Sequence, residues 1–224
     1  MIEERKIIQS LITFLEGEKM GGVLEIFSPS LKKEFSVLFS SLALKTLSQS
    51  VYRCQRCALA QSRRQCVFGE GAPNALILFV GEAPGEEEDK QGKPFVGSAG
   101  ILLTRAIEAI GLKREEVYIT NVLKCRPPHN RNPLPQEIAN CFPYLEEQIR
   151  IIQPRIICAL GKFAAHALLS TSSSISQLRG KIYSYQGIKL LPTFHPAYLL
   201  RNPQGKIPFW EDMKRLKREL QKLL

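Results

Sequence analysis

Four cysteines stand in two pairs, Cys54-x2-Cys57 and Cys125-x15-Cys141, on either side of the run Val80-Gly-Glu-Ala-Pro-Gly-Glu-Glu-Glu-Asp89. Two thiols two residues apart grip one metal centre from a tight turn, and a second pair completes a four-thiolate site. The spacing admits zinc and a [4Fe–4S] cluster alike. Cys66 lies near the first pair and is a rival ligand on spacing alone. Cys158 falls within an apolar run, where cysteine serves as a small apolar filler.

Between the pairs are residue types suited to holding a flat polar ring. Gly81-Glu82-Ala83-Pro84-Gly85 is a sharp turn whose glycines let a ligand approach the backbone and whose proline fixes the chain direction. Phe95, inside Gln91-Gly-Lys-Pro-Phe-Val-Gly-Ser-Ala-Gly100, can stack on a heterocycle. Asn121 offers an acceptor and two donors to a base edge. His195, between Phe194 and Pro196, can donate to a developing anion. Each has an ordinary alternative: a core phenylalanine, a turn-capping asparagine, a satisfied core histidine. His129 and His166 find no partner in the sequence, and His166 reads as structural.

The elements that must position these residues alternate. Ala75–Val80, Val117–Asn121, Arg155–Leu160 and Ile188–Thr193 are short apolar runs of strand length. Ser98–Ile110, Pro135–Ile152, Lys162–Leu169 and the basic stretch Pro208–Leu224 carry helical periodicity. Such alternation predicts a parallel sheet covered by helices on both faces. Sites in these folds lie beyond the carboxyl ends of the strands. Gly81–Gly85, Asn121 with the loop Arg126–Arg131, and Phe194-His195-Pro196 all fall there. Residues 1–50 carry apolar residues at helical spacing (Ile7, Ile8, Leu11, Ile12, Leu15; Phe35, Leu38, Phe39, Leu42) without recognisable chemistry, and Ser170–Ser176 reads as a loop.

The chain has 224 residues, 44% apolar and 23% charged, which suits one sizeable core plus an extension. Its net charge of +10 fits a polyanionic partner. Arg126, Arg131 and Arg201 are candidate phosphate contacts. No run approaches the roughly 20 apolar residues that span a bilayer, so no membrane partner is expected. From the mixed-charge start no export signal is expected, and six cysteines then read as thiols or ligands in the cytoplasm. No carboxylate and histidine cluster suits a two-metal nuclease.

From about Leu47 onward the chain resembles the family 4 uracil-DNA glycosylases, the iron–sulfur branch of that superfamily. The resemblance rests on Cys54-x2-Cys57, Gly81–Asp89, Gly92-Lys-Pro-Phe-Val-Gly97, Thr120-Asn-Val-Leu-Lys-Cys-Arg-Pro-Pro128, Asn130-Arg131, Cys141 and His195-Pro-Ala-Tyr-Leu-Leu-Arg201, in order. It implies a three-layer α/β/α sandwich around a central four-stranded parallel sheet, spanning residues 47–224, with residues 1–46 as a helical extension. It also implies a [4Fe–4S] cluster on Cys54, Cys57, Cys125 and Cys141. Phe95 then stacks on flipped uracil, Asn121 reads its polar edge and His195 bonds its O2 carbonyl, while Gly81, Glu82 and Ala83 line the pocket and the water. Other branches place an acid or amide where Ala83 stands, so Glu82 is the candidate for handling the water, with Glu88 behind it. Of Tyr198, Leu199 and Leu200, one is expected to wedge into the space left by the base, and Leu199 is the first candidate for DNA contact.

The expected activity is monofunctional: uracil released from single- or double-stranded DNA, an abasic site left, and no strand cleavage. A histidine near His129 serves a covalent-trapping branch, but the inserted basic loop of that branch is missing here. A monomer is expected, with a replication or repair protein as a possible partner. The rival reading is a nucleic-acid-binding or redox iron–sulfur protein of the same fold.

Overall fold

Strands that are apolar at every position, as Ile77–Gly81 and Ile156–Leu160 are, must be covered on both faces, and they form the middle of the central sheet. The computed structural model describes the backbone of residues 29–223 and side chains from residue 34 onward. The helical pattern at Ile7–Leu15 lies outside the described residues. The elements run α1 (Pro29–Tyr52), α2 (Leu59–Ser62), β1 (Glu70–Gly71), β2 (Ile77–Gly81), α3 (Glu86–Gln91), α4 (Ser98–Ala109), β3 (Tyr118–Asn121) and α5 (Pro135–Ile152). They continue as β4 (Ile156–Leu160), α6 (Lys162–Leu169), α7 (Ile175–Leu178), β5 (Tyr183–Tyr185), β6 (Ile188–Thr193), α8 (Pro196–Arg201) and α9 (Lys206–Gln221). From Ser40 onward the chain forms one compact unit; the start of α1 belongs to another.

The sheet order is β1-β3-β2-β4-β6-β5. The four expected strands are the parallel centre, β3-β2-β4-β6. Two short antiparallel edge strands extend it: β1 beside β3 and β5 beside β6. The sheet is therefore six-stranded, wider than the expected four, because two- and three-residue edges are too short to show a period of two in sequence. The end of the serine-rich run also turns helical, as α7.

Alternate strand residues feed separate layers. Leu78, Val80, Ile157 and Ala159 pack with α5 residues Leu145 and Ile149 and α6 residues Ala164 and Leu168. Ile77, Phe79, Ile156 and Leu160 pack with Leu103 and Ile107 of α4 and Met213 and Leu216 of α9. This is the α/β/α sandwich. Each large side chain so buried contributes roughly 1.5–3 kcal/mol. Cys158 belongs to the second layer as an apolar filler.

Candidate active site and cysteine cradle

Gly81 ends β2 in register with Asn121 at the end of β3. A Cβ at Gly81 would stand 2.3 Å from Asn121 Oδ1 and 2.6 Å from Phe95 Cζ, so only glycine lets these three groups meet. Asn121 is 1% exposed. Its Oδ1 is buried without a hydrogen-bond partner among the described residues. Leaving such an acceptor bare costs about 1–3 kcal/mol, which an interior tolerates where a ligand supplies the donor.

Phe95 is held in an uncommon conformation, with φ +50°. A bulky residue in the left-handed region needs outside support. Glu88 supplies it: Oε1 accepts from the Val96 and Gly97 amides at 2.9 Å each, and Oε2 accepts from Gly85 N at 3.1 Å. Arg114 adds a bond to the Pro94 carbonyl at 2.5 Å. Glu88 is thus a clamp between two loops and is not free to handle water, contrary to its place as second candidate. Glu88→Ala is expected to lower stability by at least about 2 kcal/mol and to weaken ring stacking at Phe95. Denaturant midpoints and binding of free uracil would check both.

His195 caps α8, its Nδ1 accepting from Ala197 N at 3.1 Å. That bond fixes the tautomer, leaving Nε2–H as the donor. Burial, with help from the Arg201 charge, draws its pKa down to about 4. The imidazole is therefore neutral at working pH. Its ring lies 5.6 Å from that of Phe95, tilted by 32°. Gly161, at φ +87°, clears the space: a Cβ there would come within 2.8 Å of His195 Cβ. Behind the loop, the Arg179 guanidinium grips Asp212 at 3.0 and 2.6 Å, and Thr193 Oγ1 donates to Asp212 at 2.6 Å. Glu82 sits half-buried beside Gly81, and burial pushes its carboxyl up to about 7. Ala83, the third member of the expected pocket loop, is partly buried against the α5 layer.

The four expected cysteine ligands come together. Cys54, Cys57, Cys125 and Cys141 line one small cavity with Arg63 and Lys124. Three sulfurs face donors: Arg63 Nη1 at 3.1 Å from Cys125, Lys124 N at 3.3 Å from Cys141 and Arg56 N at 3.5 Å from Cys54. Arg63 also donates to the carbonyls of Tyr52 at 3.0 Å and Cys54 at 2.9 Å, stapling the segment. Cys66 Sγ lies 3.8 Å from Cys125 Sγ and 3.3 Å from the Val51 carbonyl. Among the described residues, no group of three or more Cys, His, Asp or Glu gathers tightly enough to hold a single metal ion.

Two of the expected DNA contacts are placed differently. Leu199 is 0% exposed, packed in the core layer with α4 and α9, so it cannot wedge into DNA. Its neighbours Tyr198 and Leu200 are exposed at 39% and 46%. Arg131 spends its fork on Glu137, at 2.9 and 2.6 Å, where Glu137 also accepts from Leu134 N at the start of α5. Arg126 bonds Asn130 Oδ1 at 2.7 Å and pairs with Glu86 at 3.5 Å. Arg201 is exposed on the rim near His195. His166 bonds the Ser173 carbonyl at 2.7 Å and is structural, while His129 is exposed at φ +55°.

Lys124, Arg63 and Gly161 do not stand out in the sequence, because a lysine or arginine reads as surface charge, and a glycine as a turn, until its partners are known. A surface groove of about 410 Å3 is lined by Phe95, Gly100, Ile101, Thr104 and Arg114 but holds neither Asn121 nor His195.

Residues 68–217 match the profile of the Uracil DNA glycosylase superfamily. A type-4 uracil-DNA glycosylase of Sulfurisphaera tokodaii is 48% identical over 184 residues, covering 78% of this chain and 84% of that one. One from Saccharolobus solfataricus is 47% identical over 186 residues, covering 79% and 86%. One from Thermotoga maritima is 48% identical over 166 residues, covering 73% and 86%.

Proposed function

Because the chain belongs to the uracil DNA glycosylase superfamily, in its type-4 branch, we propose that Gly81, Phe95, Asn121 and His195 are the groups with which it excises uracil in DNA repair. The observation that carries the assignment is the bare Asn121 Oδ1, buried against Gly81 and the tip of Phe95. Uracil presents an N3–H donor beside an O4 acceptor, which an asparagine amide matches with Oδ1 and Nδ2. Cytosine presents an acceptor at N3 and is mismatched.

A base inside a duplex cannot be reached, so it is extruded into the pocket. Tyr198 and Leu200 are the side chains assigned to fill the gap, and Arg126 and Arg201 the ones assigned to phosphates. As the N-glycosidic bond breaks, negative charge collects on the leaving uracil. His195 Nε2–H donates to it, neutral at the start and needing no proton uptake. Water adds to the sugar and leaves an abasic site. This hydrolysis needs no lysine, and no strand cleavage is expected.

We assign Cys54, Cys57, Cys125 and Cys141 to a [4Fe–4S] cluster. Four thiols around one cavity, rather than gathered at a point, suit one thiolate per iron, and N–H donors to sulfur suit bound thiolates. Bound there, the cluster supplies a rigid tie between the Cys54 segment and the Asn121 loop. We place the protein in the cytoplasm, a compartment that keeps thiols reduced and free to serve as ligands. A monomer acting on single- and double-stranded DNA, with residues 1–46 as an appendage for a repair or replication partner, completes the proposal.

Glu82 is the group we assign to the water. Its folded pKa of about 7 lies above the ordinary 4.5. The rate should therefore rise with pH through about 7, and Glu82→Gln should flatten that limb and slow release roughly 100-fold. Between pH 4.5 and 7 the folded state keeps a proton that the unfolded chain has lost. Stability contributed by this group thus falls as pH rises across that window, by at most about 3 kcal/mol. Glu82→Gln should remove the slope, as melting at several pH values would register.

The function itself is tested with end-labelled oligonucleotides carrying one uracil, single-stranded and in U–G and U–A pairs, incubated with anaerobically purified protein and EDTA. Breaks only after hot alkali, with a thymine control intact, are expected. Intact strands from cluster-loaded protein would overturn it.

A further inference from the structure

Lys124 is a long amine-bearing side chain with 1% exposure, the residue immediately before Cys125. An ammonium in the interior is costly unless each proton is bonded, and a leucine or methionine would fill the same space without that cost. The targets of its donors therefore show what it is for. Nζ donates to the Asn121 carbonyl at 2.6 Å, to Gln148 Oε1 at 2.6 Å and to Thr120 Oγ1 at 2.7 Å. Thr120 and Gln148 in turn donate to one carbonyl, that of Phe68, at 2.9 Å each. The main chain of Lys124 faces the other way: its amide donates to Cys141 Sγ at 3.3 Å and its carbonyl accepts from Val67 N at 2.8 Å.

One residue thus bonds both the cysteine cradle and the backbone of the base-reading asparagine. We propose that Lys124 is a positioning residue for Asn121, transmitting the placement of the cysteine-bearing loop to the uracil pocket. The proposal rests on the uracil reading above. It makes base recognition, and not folding alone, depend on the loop that holds Cys125 and on its bond to Cys141 of α5. The side chain keeps the Asn121 carbonyl fixed from behind, so that Oδ1 stays aimed past Gly81 toward the tip of Phe95.

The test is Lys124→Met, isolated as cluster-loaded protein with iron per chain matched to the unsubstituted protein. Two quantities are read: the single-turnover rate on a U–G duplex, and the inhibition constant of free uracil. Both are expected to worsen about tenfold to a hundredfold, since a shift of about 1 Å at a positioning contact can cost that much. Affinity for abasic DNA, which does not use Asn121, should change less than about twofold on the same reasoning. A purely structural role would lower the melting temperature while leaving uracil inhibition unchanged, and that result overturns the proposal. If the variant does not accumulate in loaded form, Gln148→Met removes one acceptor and leaves Lys124 in place. A fall of about three- to tenfold in both quantities is then expected, and unchanged values overturn it. Should the unsubstituted protein release no uracil, the uracil reading itself fails; an active parent with an equally active Lys124→Met defeats the positioning role alone.

Discussion

Asn121→Leu is expected to slow uracil release on the order of 1,000-fold while raising the melting temperature. The two effects share one cause. Asn121 Oδ1 is buried and bare among the described residues. That bare acceptor costs the folded state about 1–3 kcal/mol, and a leucine of similar volume removes the debit. On the proposed assignment uracil supplies the missing donor through N3–H, and its binding relieves that cost. A site built to hydrogen-bond its substrate loses roughly 1,000-fold or more when the polar partner is taken away. Single-turnover kinetics on a U–G duplex read the first effect and differential scanning calorimetry the second. A variant that is less stable and equally active would show that Asn121 is only a turn cap.

The second large effect is at His195. His195→Ala removes the Nε2–H donor that the proposed mechanism assigns to the leaving uracil, and loss of one such donor costs about 100- to 1,000-fold in rate, or roughly 3 kcal/mol. It also removes the cap from Nδ1 to Ala197 N, worth about 1 kcal/mol. His195→Asn separates the roles. Asparagine is a good helix cap but is too short to carry the donor to the same place, so stability should hold while the rate falls. The pH dependence follows from the folded pKa of about 4 against the ordinary 6.5. Between these values the unfolded chain binds a proton that the folded state refuses, so stability from this group is lost as pH falls from 6.5 toward 4. The neutral donor survives throughout that window, and the limb near pH 7 belongs to Glu82. A limb near pH 7 that persists in Glu82→Gln and vanishes in His195→Asn would reverse these assignments.

The Arg179–Asp212 pair behind the His195 loop adds a third effect, on stability. Asp212 is 2% exposed and accepts from both Arg179 and Thr193. Removing the arginine strands a buried carboxylate, at a cost of about 3–5 kcal/mol. Arg179→Met should therefore melt early, and what activity remains should show a loosened His195.

Much of this protein was determined by its sequence alone. The two middle strands, β2 and β4, are apolar throughout because both faces are covered, and such runs declare themselves without any partner in view. The cysteine pairs, Phe95, Asn121 and His195 are unusual residue types at strand ends, where a parallel sheet gathers its loops. Only the tertiary structure decided which neighbour in a run does the work. Tyr198-Leu-Leu200 sits in a helix of six residues, too short to show a phase, and packing against α4 and α9 buried Leu199 and exposed Leu200. Among the acids Glu82, Glu86, Glu87, Glu88 and Asp89, composition gives no order. Three backbone amides claimed Glu88, and burial beside Gly81 singled out Glu82. Arg131, Lys124 and Arg63 carry the same charge in sequence. Their roles parted because a polar side chain is placed by distant partners: a carboxylate for Arg131, a carbonyl at the pocket for Lys124, a sulfur for Arg63. Local pattern fixes where the backbone goes, and long-range hydrogen bonds fix what its charged groups are for.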